Sequence, residues 1–480
     1  MAVSRIARFE WRLLSADRSL RWLSVVFALV VAYGIFNGVS WVRFQRETID
    51  SVVLEEAQRH HDARTQIARI TSGDSAGLKA WLDPRIPSNA GGTIATRYAV
   101  LPPAPLAALA IGQSDLYPYY ARISTRIKQS FIVNDEIENP TNLLSGRFDL
   151  AFAVIYLFPL LILAMTYNLI SAEREQGTLA MILSQPVRVR RVMTTKILVR
   201  AGIVLALAIV LTCAAAIAAG VGVTAPGVGA RLGLWCAIVV LYGAFWFAVA
   251  LGVNTLGRSS ATNAIILLGV WLGVVVLIPS LYNVIVTTAH PTPSRVELTT
   301  ALRKATTDAT ERGSVVLQKY YLDHPEMMGG VPDMDNFAAR AVAVQEDVEK
   351  IMGPTLAAFD QRIAEQQTLA DRYRFVSPAI VTQAALYDAA GTGVYRYRHF
   401  QTLVDGYHAR WQQFFFPRVF ARQALRAADY DALPAWSYQE ESIGGVAQRT
   451  ANGLLWLLIP TIVAISWSAR GLRRLDLAER

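Results

Sequence analysis

The chain has 480 residues, of which 53% are hydrophobic and 17% charged, with a net charge of +9 and a mean hydropathy of +0.32. Soluble domains carry about 25% charged residues, so this composition argues against a soluble protein and predicts one that crosses a membrane several times. Cys213 and Cys236 both fall in apolar runs, which speaks against a disulfide scaffold or a thiolate metal site.

In chain order, residues 1–21 come first, rich in arginine, with Ile6, Phe9, Leu13 and Leu20 at roughly helical spacing. They predict an amphipathic helix lying in the cytoplasmic interface. No small-residue cleavage site follows, so the first apolar run reads as a retained span. A span needs about 20 mostly apolar residues, and six runs serve: 22–42, 150–170, 201–223, 232–253, 264–284 and, shortest, 453–468. They divide the chain into an interface helix at 1–21 and span 1 at 22–42, followed by an insertion at 43–149 and span 2 at 150–170. A connection at 171–200 leads to spans 3–5 within 201–284; a second insertion at 285–452, span 6 at 453–468 and a tail at 469–480 complete the chain.

The two insertions read as folded. Apolar spacing over 47–70 predicts a helix continuing out of span 1. Further helices are expected over 294–322 behind Pro293-Ser294, over 336–373 with a break or kink near Gly353-Pro354, and over 396–416 after Gly391-Thr392-Gly393. A small sheet near 95–101 is left open. The expected fold is mainly α: a polytopic membrane protein with six transmembrane helices and a mostly helical extracytoplasmic domain built from two insertions.

Orientation follows from Lys and Arg in the short connections. Arg5, Arg8, Arg12, Arg18 and Arg21 precede span 1. Arg174, Arg188, Arg190, Arg191, Lys196 and Arg200 lie between spans 2 and 3, Arg258 follows span 4, and Arg470, Arg473, Arg474 and Arg480 close the chain. With six spans these segments share one side, and their balance accounts for the whole net charge. The basic charge is thus a topology signal. It places both termini in the cytoplasm and makes nucleic-acid binding improbable.

Between spans 2 and 3 lies SAEREQGTLAMILSQPVRVRR, residues 171–191. Ser171 suits a helix cap, and Glu173 and Glu175 suit the positive end of the helix dipole. Leu179, Ile182 and Leu183 form one apolar face, and Pro186 ends the helix. A short helix across the membrane surface and a solvated turn between spans fit this spacing equally well.

Glu173-Arg174-Glu175-x-Gly177-Thr178, then Leu183-x-x-Pro186 and Lys196, resemble type-2 ABC transporter permeases. Further stretches resemble the subfamily with large external insertions, catalogued as a domain of unknown function. They are Gly112–Pro118, Asn139–Asp149, Tyr321-x-x-His324-Pro325, Ser377-Pro378 and Gly391-Thr392-Gly393. One departure is Thr195, where the family often has glycine before the lysine matching Lys196, which weakens any role for Lys196. The resemblance implies six spans, an N-terminal interface helix and a coupling helix formed by 171–200. It also implies an ABC ATPase subunit dimer that holds ATP and Mg2+, and a second permease, either the same chain or a related one. Glu173, Arg174, Glu175, Gly177, Thr178, Leu179 and Pro186 become the ATPase-coupling residues, with the charges pairing across the interface and Gly177 allowing close backbone approach.

This chain has no G-x-x-x-x-G-K-[ST] phosphate loop, so it is not expected to hydrolyse ATP itself. No His-Glu-x-x-His or Gly-x-Ser-x-Gly arrangement appears, and His60-His61 reads as a solvated pair rather than a metal site. Tyr156, Asn168, Tyr242, Trp246 and Trp271 are candidates for a translocation path, with helix packing explaining each about as well. No ionisable residue lies deep in a span, which argues against an ion-coupled carrier. The expected function is the permease subunit of an ABC transporter, an exporter, in a bacterial inner membrane. The alternative is a membrane-anchored signalling or scaffold protein with an extracytoplasmic partner-binding domain.

Overall fold

The computed structural model describes residues 2–74, 79–126, 148–183, 188–289, 291, 294–325 and 333–478. Among these residues, six helices are long and apolar enough to cross a membrane. The protein is a mainly α, multi-pass membrane protein.

Helix α1 (Ala2–Ala16) stops where Asp17 caps the next helix, its Oδ1 accepting the Ser19 N–H at 2.8 Å. Leu20, expected on the interface helix, therefore belongs to the first span. That span is the start of α2 (Arg18–Thr71), a single helix of 54 residues, so the expected continuation over 47–70 is present. The second span α3 (Leu150–Glu175) carries a π turn at Ala153–Leu157 and ends in a separate turn of helix, Ser171–Glu175. After α4 (Thr178–Leu183) come the third span α5 (Val189–Ala218), the fourth α6 (Val228–Asn254) and the fifth α7 (Ser260–Ala289). Helix α5 begins well before the expected 201, because paired charges let its polar first turns stay helical. The fourth span is the central one: 72% of its apolar stretch is buried inside the protein, against 11% for the fifth.

Helices α8 (Arg295–Glu311), α9 (Gly313–Asp323), α10 (Phe337–Tyr373), α11 (Pro378–Ala390) and α12 (Val394–Phe420) follow, and α13 (Ile443–Ala478) carries the sixth span. Three expectations change in detail. The 294–322 helix divides at Arg312, α10 runs through Pro354 as one helix, and the sixth span is far longer than its 16-residue apolar run. The sheet left open is real but small: β1 (Arg97–Val100) pairs antiparallel with β2 (Tyr120–Ile123). The stretch 127–147, which holds most of the Asn139–Asp149 motif, lies outside the described residues, as do Pro186 and Pro293.

Both insertions meet in one domain at the end of the bundle opposite α1, here the far end. Phe400, Tyr407, Trp411 and Phe415 on one face of α12 pack against Ala63, Ile67 and Ile123. The aromatic run of α12 is therefore core, with Trp411 Nε1 donating to the Gly91 carbonyl at 3.1 Å. His60 is half-buried, donating to the Ala95 carbonyl at 3.0 Å against the Tyr430 ring. Burial and the nearby Arg97 push its pKa down to about 4, so it is a packed, neutral histidine and not half of a solvated pair.

Two pieces of the insertions enter the bundle itself. Segment 104–112 has no helix, yet Leu106 through Ile111 are buried. Its backbone is satisfied by neighbours: Leu106 N–H donates to the Ala390 carbonyl at 3.3 Å, and Ile111 N–H to Asp149 Oδ2 at 2.9 Å. Irregular backbone at this depth survives only when protein supplies those partners. The other piece is α11, which packs on α6 and α13 and shares their core. Its cap Ser377 accepts the Ala379 N–H and donates to the Val274 carbonyl at 2.6 Å, within the π turn Leu272–Leu277 of the fifth span.

Candidate functional site

The charged connection between the second and third spans sits at the near end, beside α1. Its geometry begins with a break: residues 167–170 are a turn, so α3 stops short of its last helical piece. Asn254, 1% exposed at the end of α6, donates to the Thr166 and Ala250 carbonyls at 2.8 Å each. Asn263 donates to the Tyr167 carbonyl at 3.3 Å. At the break, where the helical ladder stops, the two amides thus supply side-chain donors to the Thr166 and Tyr167 carbonyls.

Of the two readings of this stretch, a short helix or a turn, the described residues 171–183 show two short helices. Gln176 and Gly177 separate Ser171–Glu175 from α4, and Gly177 has φ of +75°, a conformation glycine adopts without strain. A Cβ there would meet nothing within 4 Å. Within the chain, glycine is needed for the turn and not for close approach. Ser171 does not cap: Ile170 holds that position, while the Ser171 hydroxyl pairs with that of Ser260 at 2.8 Å.

Each charge of the 173–175 triplet has a partner inside the chain. Glu173 binds Lys196 Nζ at 2.5 Å and accepts the Thr178 hydroxyl. Arg174 Nη1 donates to the Gly257 carbonyl at 2.7 Å. Glu175 accepts both the Ser260 N–H at 2.7 Å and its hydroxyl at 2.9 Å, so it acts as a second cap on α7 beside Ser259. Leu179 is buried at 8% exposure while Met181 stands 69% exposed. One helical turn beyond Lys196, Arg200 Nε meets Glu10 of α1 at 2.7 Å and its Nη1 donates to the Met165 carbonyl. Glu10 is 1% exposed.

The connection is thus clamped to α5 and α7 at once, and α5 is in turn paired to α1. Lys196, discounted from the sequence because of Thr195, is the direct counter-ion of Glu173. Arg200 counts in the sequence only as a topology charge, and Glu10, Asn254 and Asn263 carry no site role there. Their one available signal was a polar residue beside or inside an apolar run, which does not reveal a partner 190 positions away.

The translocation-path candidates lie in helix packing. Tyr242 and Trp246 are fully buried, with their rings edge to face at 6.2 Å and the Tyr242 hydroxyl donating to the Ile155 carbonyl. Trp271 donates to the Tyr156 carbonyl at 3.1 Å, and Tyr156 stacks on Phe152. Asn168 falls in the turn after α3, at the near end and apart from the other four.

Residues 127–288 match the family described as ABC-2 family transporter protein, and residues 295–439 match a domain of unknown function (DUF3526). The clamped connection lies inside the first match, while α8–α12 lie inside the second. No curated protein matches the chain.

Proposed function

We propose, for a chain that belongs to the ABC-2 transporter permeases and carries an added domain of unknown function, that it is the membrane subunit of an ABC exporter. In this reading a separate ATPase dimer, holding ATP and Mg2+, docks on the 171–183 connection. A second permease, identical or related, completes the membrane unit. The near end with both termini faces the cytoplasm of a bacterial cell, and the domain at the far end lies outside the inner membrane. The Lys and Arg distribution supports that orientation.

The observation that carries the reading is the clamp. A docking element transmits a push only if it moves helices instead of collapsing. Glu173 ties the connection to α5, and Glu175 ties it to the first turn of α7. The triplet charges thus serve as struts, and Met181 with the open space before Gly177 offers the contact surface. Nucleotide binding must favour one arrangement of these helices over another for work to be done.

The test is reconstitution of the chain with its ATPase subunit in lipid. Glu173→Ala with Glu175→Ala should leave ATP binding intact and abolish stimulation of ATPase by the permease. Unchanged assembly and unchanged coupled turnover in that variant would sink the coupling assignment.

A further inference from the structure

The first span does not end at the membrane. Helix α2 has 54 residues and is about 81 Å long at 1.5 Å per residue. A bilayer core takes about 30 Å of that, and residues 43–71 carry the helix about 44 Å further into the domain. One buried stripe runs along it, through Phe27, Gly34, Trp41, Val52, Ala63 and Ile70. The interval from Phe27 to Ile70 is about 12 turns of 3.6 residues, so the face that packs on the bundle is also the face that packs in the domain.

Along that stripe the helix is fastened at short intervals. Asn37 donates to the Phe148 carbonyl at 2.9 Å, Trp41 to the Ser114 hydroxyl at 3.1 Å, and Gln45 to the Leu101 carbonyl at 3.3 Å. Beyond the membrane, Glu56 accepts the Tyr98 N–H at 2.7 Å and pairs with Arg97, and Arg64 meets Asp431 at 2.8 Å. At Gly34 and Gly38 backbone lies against backbone: a Cβ on Gly38 would stand 2.0 Å from the Ala108 carbonyl oxygen. Other spans are locked to the domain as well. Arg231 of α6, 3% exposed, reaches the Asp388 and Ala389 carbonyls and Glu440. Ser377 and Tyr282 link α7 to segments of the second insertion. The joint between bundle and domain is bridged by segment 104–112 and α11, both buried, with no bare linker between them among the described residues.

We infer that this chain is a rigid transmitter: a displacement imposed on its near end is delivered to the far-end domain, which moves as one body with the first span. The rigidity rests on the fold alone, and only the source of the displacement rests on the ATPase reading. The output of the cycle is then a movement of the domain in addition to any opening between spans.

Spin labels test this in the full chain, with Cys213 and Cys236 replaced by alanine. Labels at Arg18→Cys, the first residue of α2, and Asp62→Cys in its part beyond the membrane, both exposed, lie about 66 Å apart along the helix. In the chain alone, in lipid nanodiscs, the distance between them should be one narrow population. A broad or two-population distribution overturns the inference whether or not an ATPase binds. With the ATPase subunit labelled too, ATP should shift both positions by the same amount and leave the Arg18–Asp62 distance unchanged. A shift at Arg18 with none at Asp62 also overturns it, whereas failure of the ATPase to bind counts against the coupling reading alone. Softening the rod with Ser51→Gly, Val53→Gly and Leu54→Gly, all exposed, should broaden the distance and lose the Asp62 shift while Arg18 still moves.

Discussion

Replacing Glu10 by alanine removes the counter-ion from Arg200 without touching any span. Glu10 is 1% exposed and the Arg200 side chain 11%, with Nε and Oε1 2.7 Å apart. After the change the guanidinium keeps the Met165 carbonyl and loses its bonded carboxylate, leaving only Glu173 nearby, which Lys196 already binds. Breaking one side of a buried pair costs about 3–5 kcal/mol, because the other charge stays behind uncompensated. Unfolding entropy near 2.1 cal/mol/K per residue gives about 1 kcal/mol/K for a chain of this length, so the midpoint should fall by about 3–5 °C. Thermal unfolding in nanodiscs of the parent, Glu10→Ala, Arg200→Met and the double variant measures this. The double variant should be less destabilised than the two single changes together, by about 1–3 kcal/mol, since it leaves no orphaned charge. Additive effects, or a drop below about 1 °C for Glu10→Ala, would refute the idea that this pair pins α1 to the bundle.

Three further outcomes follow from single contacts. Gly38→Val drives a side chain into the Ala108 carbonyl, where backbone cannot swing aside, and should lower stability by about 1–3 kcal/mol in the same unfolding assay; Gly233→Val, with open space around it, is the control. Ser377→Ala removes a cap and leaves the Val274 carbonyl without its donor, a loss of about 1–3 kcal/mol. Burial pushes the Asp149 carboxyl up to about 6, with three backbone N–H groups only partly offsetting it. The folded chain therefore holds that proton more tightly than the unfolded one. The stability this contributes is complete below pH about 4 and is lost as pH rises through about 6. Asp149→Asn should remove that part of the dependence, read as the difference in unfolding midpoint between the two chains from pH 4 to 7; parallel curves would contradict it.

The near-end clamp shows how far a linear reading reaches. The 173–175 triplet stood out as a candidate site from its position after an apolar run and from its resemblance to a family. Its partners were not. Lys196 and Glu173 are 23 positions apart, Arg200 and Glu10 are 190 apart, and nothing in either local pattern points to the other. The short helices had the same difficulty: Gly177 was visible as a glycine, but its left-handed turn depends on Glu173 and Thr178 closing over it.

Membrane span number, helical class and the asymmetry of basic charge were determined by the sequence itself. Each is a local consequence of transfer free energy: a run of apolar residues has to bury its backbone in a helix once it enters lipid. The tertiary structure alone decided where irregular segments go and what charges do. Segment 104–112 and α11 have the composition of ordinary loop and helix, and only contact with Gly38, Asp149 and Val274 makes their burial at the bundle end tolerable. Burial of a polar group depends on a partner distant in the chain, and that partner exists only once the helices have packed.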